Sequence, residues 1–415
     1  MQLCGTVGFG AACMIKKIET SDLLLGMYIH ALCGNWIDHP FWKERFLLND
    51  PQDILRIQRS AISEVMIDTS KGRDVKAQPV AVNASAAGAP VAGAPEPVKR
   101  VAMDAEMSRA IKICTRAKAA VTSMFNDARM GLAINTSESE ALVEEISTSV
   151  LRHPHALISL SRLKTSDEYT YMHSVAVCAL MMALARQLSL PEAWVREAGI
   201  AGLMHDIGKM TIGSDILNKP GRLTDPEFAA MRLHPEGGVK ILQQSGILSA
   251  AAYDVCLHHH EKFDGTGYPF GLEGEQISVF ARMASICDVY DAITSERPYK
   301  KAWGPAHSIR EMASWAGHFD EQIFQAFVRT VGIYPVGALV RLNSQRIGVV
   351  VEQDDKSLLR PKVMMLLSAR TKMPLERKVL DLSRAGEEDK IIRIESAKDW
   401  NLGDIDAIWT GRPGN

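Results

Sequence analysis

The chain has 415 residues, 47% of them hydrophobic and 23% charged, with a formal net charge of -2 and seven cysteines. This length predicts two or three folded units rather than one core. The near-neutral charge excludes a general attraction to nucleic acid or anionic membranes, so any nucleotide must be held locally and DNA is not an expected partner. The longest apolar stretch, Ser174 to Ala185, is shorter than the roughly 20 residues of a membrane span and reads as a buried helix. The cysteines are odd in number and form no CxxC pair, which argues against a disulfide framework or zinc finger and for a reducing cytoplasm.

In chain order, Met1 to Met14 is apolar and Gly-rich without a basic leader, so no secretory signal is expected there and Met14 is an alternative start. From 14 to 76, β-like runs at Met27–Ala31 and Glu64–Asp68 alternate with a helical stretch around Asp53–Ser63, predicting a small α/β domain. Residues 77–98 are rich in Ala, Pro and Gly with almost no large apolar side chains; they form a linker because burial cannot offset their ordering entropy. Val101 to Gly131 has helical spacing, and 99–137 is expected to be a connecting helix. Helical patterns with short Gly- and Pro-marked connections then run through 138–334. Beyond Pro335, β-branched runs at Ala338–Leu342, Ile347–Glu352, Lys362–Leu367 and Ile391–Glu395 predict a small β-rich module over 335–410. The expected fold class is mainly α, with a helical domain between a small α/β domain and this module.

Within the helical region, His173, His205, Asp206, His234, His259, His260 and Asp288 each fall on or beside an apolar helix. Any one such histidine is more often a core residue with a single hydrogen bond than a ligand. Together they point the other way, because Asp206 follows Gly202-Leu203-Met204 and Asp288 is flanked by Ile286-Cys287 and Val289-Tyr290. Two buried carboxylates with too few nearby Lys or Arg are costly unless cations neutralise them. Imidazole and carboxylate without thiolate suit iron, manganese or cobalt. Seven donors exceed the needs of one ion, and Asp206 is best placed to bridge two, which would share a hydroxide for an in-line phosphoryl displacement.

Lys209, four residues after His205, would share the ligand face on a continuing helix and reach a phosphate oxygen; Gly208 instead allows the helix to end there, leaving a surface lysine. Asp264-Gly265-Thr266-Gly267-Tyr268-Pro269 is a loop by composition, either a plain turn or a means of placing Tyr268 beside the site to stack on a base. Arg297 and Lys300 would clamp phosphate oxygens or be solvated. Asp291 reads as structural, His258 as outside the ligand set, and Cys256 and Cys287 as core fillers.

The ordered segments HSVAV at 173, HDIGK at 205, ILNKPGRLTDPEFAAMRLHPEGG from 216, HHEKFDGTGYPFGL at 259 and CDVYDAITSERPY at 287 resemble the HD-GYP family of the HD phosphohydrolase superfamily. The resemblance implies a helical HD core that hydrolyses cyclic di-GMP to pGpG or GMP. It implies metal ligands at His173, His205, Asp206, His234, His259, His260 and Asp288, with Asp206 bridging two divalent ions, iron or manganese. Asp206 and Lys209 would be catalytic; Lys209, Arg297 and Lys300 would meet the scissile phosphate, and Gly267, Tyr268 and Pro269 would form the loop that names the family. Some relatives carry a Glu and a third metal where this chain has Tyr169, so two metals are expected, with Asp167 or Glu168 at most in the outer shell.

GMYIH at 26, WIDHPFWKERFLL from 36 and IDTSKGRDV from 67 resemble a domain of unknown function that often precedes HD-GYP domains; Trp36, Phe41 and Trp42 there are expected to pack in its core rather than form an exposed binding surface. The competing readings are a non-catalytic module that binds nucleotide or a diguanylate cyclase, and a hydrolase of another cyclic dinucleotide such as cyclic GMP-AMP. Other signalling proteins and a second copy of the chain are further candidate partners.

Overall fold

Short runs of apolar residues build a four-stranded antiparallel sheet at the start of the chain in the computed structural model, with strands Ile15–Glu19 (β1), Tyr28–Cys33 (β2), Phe46–Leu47 (β3) and Glu64–Asp68 (β4) in the order β1-β4-β2-β3. The structure describes residues 15–24, 26–33, 46–48, 54, 57–58, 64–69, 71–73, 100–162, 169–247, 249–295, 302–354, 357–403 and 405–410. Leu23, Met27, Ile29, Leu48, Ile57, Val65 and Ile67 form the core of this unit. Val65 and Ile67 point inward while Met66 is exposed, the two-residue alternation of a strand with one covered face. The sequence pattern had no signal for β1, because IKKIE does not alternate, or for β3, which is two residues long. Ile54, Ile57 and Gln58 are helical within the stretch expected to be so. Trp36, Phe41, Trp42 and the linker lie outside the described residues.

The chain divides into two compact units, 1–96 and 97–415. In the second, Met103–Arg129 (α1) buries Ala110, Ile113, Ala117, Val121 and Phe125 along one face, the spacing of an amphipathic helix. The segment expected to connect the linker to the helical domain is thus packed into that domain. Its Glu106, 1% exposed, accepts from Ser149 Oγ at 2.8 Å and Arg152 Nε at 3.0 Å on the next helix, Thr136–Arg152 (α2). Asn135 starts α2 by accepting from the Glu138 amide.

Pro154–Ser161 (α3) leads to Tyr169–Gln187 (α4), in which every residue from Met172 to Ala185 is buried. A helix apolar on all sides belongs in the middle of a bundle. It is packed on by α1, α2, α3, Glu192–Met204 (α5), Val279–Thr294 (α10) and Glu321–Val331 (α12). Between α5 and α10 lie a 3₁₀ turn at Ile207–Thr211 and the shorter helices Ser214–Leu217 (α6), Asp225–Met231 (α7), His234–Gln244 (α8) and Ala250–His258 (α9). Ser249 and Ser278 cap α9 and α10 by accepting from the amides of Ala252 and Ala281.

After Pro305–Ala313 (α11) and α12, the strands Leu339–Leu342 (β5), Arg346–Glu352 (β6), Lys362–Ser368 (β7), Val379–Asp381 (β8) and Ile391–Ile394 (β9) make an antiparallel sheet ordered β8-β7-β6-β5-β9. Val340, Leu342, Val350, Val363 and Met365 pack its inner face together with Ala306 of α11, and Ile405–Thr410 (α13) follows. Four of these strands fall where the β-branched runs predicted them. β8 was not expected, since three residues on a sheet edge are too few to show a period. Among the described residues no helix is long and apolar enough to cross a membrane.

Candidate metal centre

Five separate pieces of chain bring the predicted donors together. His173 comes from the first turns of α4, His205 and Asp206 from the end of α5, His234 from the first residue of α8, His259 and His260 from just beyond α9, and Asp288 from the middle of α10. Two glycines set how closely these pieces approach. A Cβ on Gly208 would lie 1.8 Å from the His234 carbonyl oxygen, and one on Gly238 would lie 2.2 Å from Cys256 Sγ. Only bare backbone lets the turn after Asp206 rest on α8, and α8 rest on α9.

The ligating atoms fall into two groups, each with its atoms within 4.8 Å of one another: His173, His205 and Asp206, and Asp206, His234, His259 and His260. Asp206 belongs to both. Its Oδ2 lies 3.5 Å from His173 Nε2 and 3.4 Å from His205 Nε2, while its Oδ1 lies 3.4 Å from His234 Nε2 and 3.6 Å from His259 Nε2. Asp288 stands in neither group but faces both, with Oδ1 at 3.0 Å from His173 Nε2 and Oδ2 at 3.9 Å from His260 Nδ1.

Protons on the outer ring nitrogens decide what the inner ones offer. Nδ1 of His205 faces the Gly202 carbonyl at 2.8 Å, that of His234 the Met231 carbonyl at 2.8 Å, and that of His259 the Val255 carbonyl at 2.9 Å. His173 Nδ1 faces Asp291 Oδ2 at 2.6 Å. Carbonyls and carboxylates only accept, so each of these Nδ1 atoms carries the hydrogen and each neutral ring turns a bare Nε2 lone pair inward. The Nε2 atoms of His234 and His259 meet at 3.3 Å, and His205 Nε2 and Asp206 Oδ1 are buried without a hydrogen-bond partner. Apart from Lys209 at Asp206 Oδ2, this interior offers lone pairs and carboxylate oxygens with few donors to meet them, which is what a cation fits, and an acid that holds the outer proton, as Asp291 does for His173, is how a metal-bound imidazole is usually oriented.

The electrostatics agree. Burial opposes charge on Asp206, but Lys209 and His205 beside it hold its carboxyl well below the usual range. Asp288 is held low in the same way, against burial, by His173, whose Nε2 lies 3.0 Å from Oδ1, and by the neighbouring imidazoles. Burial pushes His234 down to about 3 and, with His259 alongside, carries His260 well below its ordinary value, so neither ring holds a second proton near neutrality. Burial also works against a charged His205, yet Asp206 outweighs it and raises that pKa; the field that favours a second proton there equally favours a metal cation.

The helix does not continue through Gly208. Lys209 sits on the 3₁₀ turn with its side chain 22% exposed, and Nζ donates to Asp206 Oδ2. The loop after His260 is gripped by Glu261, 2% exposed, which accepts from the amides of Phe270 at 2.8 Å and Leu272 at 3.1 Å. A Cβ on Gly267 would lie 2.4 Å from the Lys262 amide, so the loop lies directly on the chain beyond His260. The Tyr268 ring stacks on His260 at 4.7 Å between centroids, and the exposed Arg232 guanidinium lies 4.6 Å from the Tyr268 centroid; Pro269 follows, half-buried. Glu261 and Arg232 were absent from the sequence reading. An acid directly after two ligand-like histidines and before a glycine loop was the available signal for Glu261; nothing local marks Arg232. His258 turns to Asp254 at 2.8 Å, and Cys256 and Cys287 are buried thiols whose pKa burial raises. Arg297, Lys300, Asp167, Glu168 and the side chain of Tyr169 lie outside the described residues.

Residues 149–323 match the family model of the HD domain, and residues 15–139 match a domain of unknown function (DUF3391). Over 399 residues, 96% of each chain, the protein is 58% identical to the cyclic di-GMP phosphodiesterase PA4108 of Pseudomonas aeruginosa. The chain belongs to the HD-GYP family. Other relatives match a smaller share of the chain: the cyclic di-GMP phosphodiesterase response regulator RpfG of Xanthomonas campestris is 38% identical over 178 residues, 41% of this chain and 47% of its own. The 3'3'-cGAMP-specific phosphodiesterase 3 of Vibrio cholerae is 39% identical over 137 residues, 32% of this chain and 29% of its own.

Proposed function

We propose that this HD-GYP protein hydrolyses cyclic di-GMP, to pGpG or on to GMP, with two divalent cations, iron or manganese, at the histidine–aspartate centre. One observation carries the reading: Asp206 is shared by both groups of inward-facing donors and is bonded to a partly exposed lysine. The activity named for the Pseudomonas relative, alike along nearly the whole chain, supports it. In this reading His173 and His205 would hold one cation and His234, His259 and His260 the other, with Asp206 serving both and Asp288 completing the set. Tyr169, in place of a third-metal Glu, keeps the count at two. Such cations supply Lewis acidity toward phosphate and a water of lowered pKa.

The chain's own groups do the rest. Asp291 keeps the His173 proton on Nδ1, so that Nε2 stays a donor. Lys209, positioned by Asp206, offers an ammonium to a non-bridging phosphate oxygen, where negative charge grows as water displaces the 3′ ester oxygen. That oxygen leaves as an alcohol after taking up a proton. Tyr268, backed by His260 and shaped by Gly267 and Pro269, gives a guanine a face to stack on, a contact worth about 1–3 kcal/mol per base. Arg297 and Lys300 are proposed to make the remaining phosphate contacts. The same reading places the protein in the cytoplasm, with a diguanylate cyclase, another signalling protein or a second copy as partner. It divides the chain into 14–76, the linker 77–98, the helix 99–137, the catalytic domain 138–334 and the module 335–410.

Protein prepared without oxygen and loaded with iron or manganese is expected to convert cyclic di-GMP, with products resolved by chromatography. Substrate binding by this wild-type protein without turnover would replace the proposal with the binding-module reading. The cGAMP-specific Vibrio relative motivates a second substrate. Competition kinetics decide between them, and a higher kcat/KM for cyclic GMP-AMP would transfer the assignment.

A further inference from the structure

A cavity of about 360 Å³ opens at the other end of α4, away from the metal centre, between the helical domain and the C-terminal sheet. Arg100, Arg186, Arg329 and His155 line it, facing a single carboxylate, Asp354. Arg186 is thirteen residues beyond His173 on the same helix, which separates the two places by about 20 Å at 1.5 Å per residue. None of the metal-centre residues lines this cavity.

Arg186 and Arg329 sit in the last turns of α4 and α12, where a cation also complements the helix dipole. Three further observations indicate more than capping. The space is bounded by α2, α3, α4 and α12 and the loops beside them, and falls at the lower end of the range for small-molecule sites. Val150, Leu151 and Leu358 add apolar surface to its lining. Its lining also has unmet hydrogen-bonding capacity: Arg186 donates through Nη2 to Ser147 and Glu192, but its Nε and Nη1 are buried without acceptors, and Gln353 Oε1 is buried without a donor. Arg329 makes no ion pair among the described residues.

We propose that this cavity is a second ligand site, for a nucleoside monophosphate or a phosphomonoester of that size. Three guanidinium groups against Asp354 of the lining and Glu192, which pairs with Arg186, leave an excess of about one positive charge, which attracts a phosphomonoester carrying about -1.5 to -2 near neutrality. Guanidinium forks suit phosphate oxygens in pairs, and the apolar part of the lining accepts the base or sugar. The volume suits a mononucleotide better than a cyclic dinucleotide.

Calorimetric titration of the metal-loaded full-length protein with GMP tests this. Saturable binding is expected that survives Lys209→Ala and weakens at least about tenfold in the Arg100→Glu/Arg329→Glu variant, since each charged hydrogen bond lost is worth about 1.5–3 kcal/mol. Both arginines are exposed, and the milder Arg329→Gln, which keeps a neutral donor, is expected to weaken binding about threefold or more. Guanosine, without the phosphate, is expected to bind at least about tenfold more weakly than GMP. Equal GMP affinity in the wild type and both arginine variants, or equal affinity for guanosine, would overturn the proposal, as would GMP binding that disappears entirely in Lys209→Ala. Inorganic phosphate binding as tightly as GMP would overturn the nucleotide assignment and leave a free-anion site.

Discussion

At its N-terminal end α4 sets His173 among buried carboxylates and inward-facing imidazole lone pairs, whereas at its C-terminal end it sets Arg186 beside a cavity with two more arginines. The same central helix therefore serves two places of opposite electrical need. Asp206 is 1% exposed and Asp288 8%, while Arg100 and Arg329 are exposed. In the dry centre the carboxylates are expensive without cations, and each position is locked by backbone carbonyls, glycines and neighbouring acids. At the wetter end, water solvates Arg100 and Arg329 when no anion is bound, so their charge costs little stability. Burial, rather than the number of charged groups, decides which site is rigidly specified.

Substitutions sharpen this contrast in descending order. Asp206→Ala removes the carboxylate common to both groups and is expected to lower cyclic di-GMP turnover by at least about a thousandfold, with loss of bound metal by elemental analysis. Retained metal and turnover would erase the special status of the buried end. Gly208→Ala forces a methyl against the His234 carbonyl and is expected to destabilise the fold by about 2–4 kcal/mol in chemical denaturation; an unchanged midpoint would show that the turn has room to move.

Asp291→Asn keeps the shape but weakens the grip on His173, and metal affinity is expected to fall about 10- to 100-fold by competition with a chelator, the usual effect of losing such a partner. Glu261→Gln replaces an acceptor of two loop amides and is expected to raise KM for cyclic di-GMP several-fold more than it lowers kcat, because it loosens the loop bearing Tyr268 rather than the metal ligands. A drop in kcat alone would move Glu261 into the chemistry. Arg329→Gln, at the opposite end, is expected to leave unfolding stability within about 0.5 kcal/mol, as for exposed positions generally. A larger loss would mean that the arginine cavity is a structural junction.

Much of this molecule was legible beforehand because its signals are local. The helical region, four strands of the C-terminal sheet and β2 and β4 of the first sheet each carry a period or a β-branched run within their own few residues. β1, β3 and β8 do not, and became strands because neighbours pair with them. The donor residues were legible as types in order. The grip of Glu261 on the loop, the placing of Arg232 over Tyr268 and the cavity at the end of α4 were not, since each depends on separate segments meeting in space.

From its order of residues alone this protein had its imidazoles, its acids and the glycines between them assigned to apolar helices, which is enough to call for a cation. Whether the lone pairs face one another was left to the folded chain. Gly202, Met231, Val255 and Asp291 take the outer protons, and Gly208 and Gly238 set the spacing between helices. The reason is geometric: a ring nitrogen becomes a donor to metal only when its other nitrogen finds an acceptor, and that pairing exists only once the helices have packed.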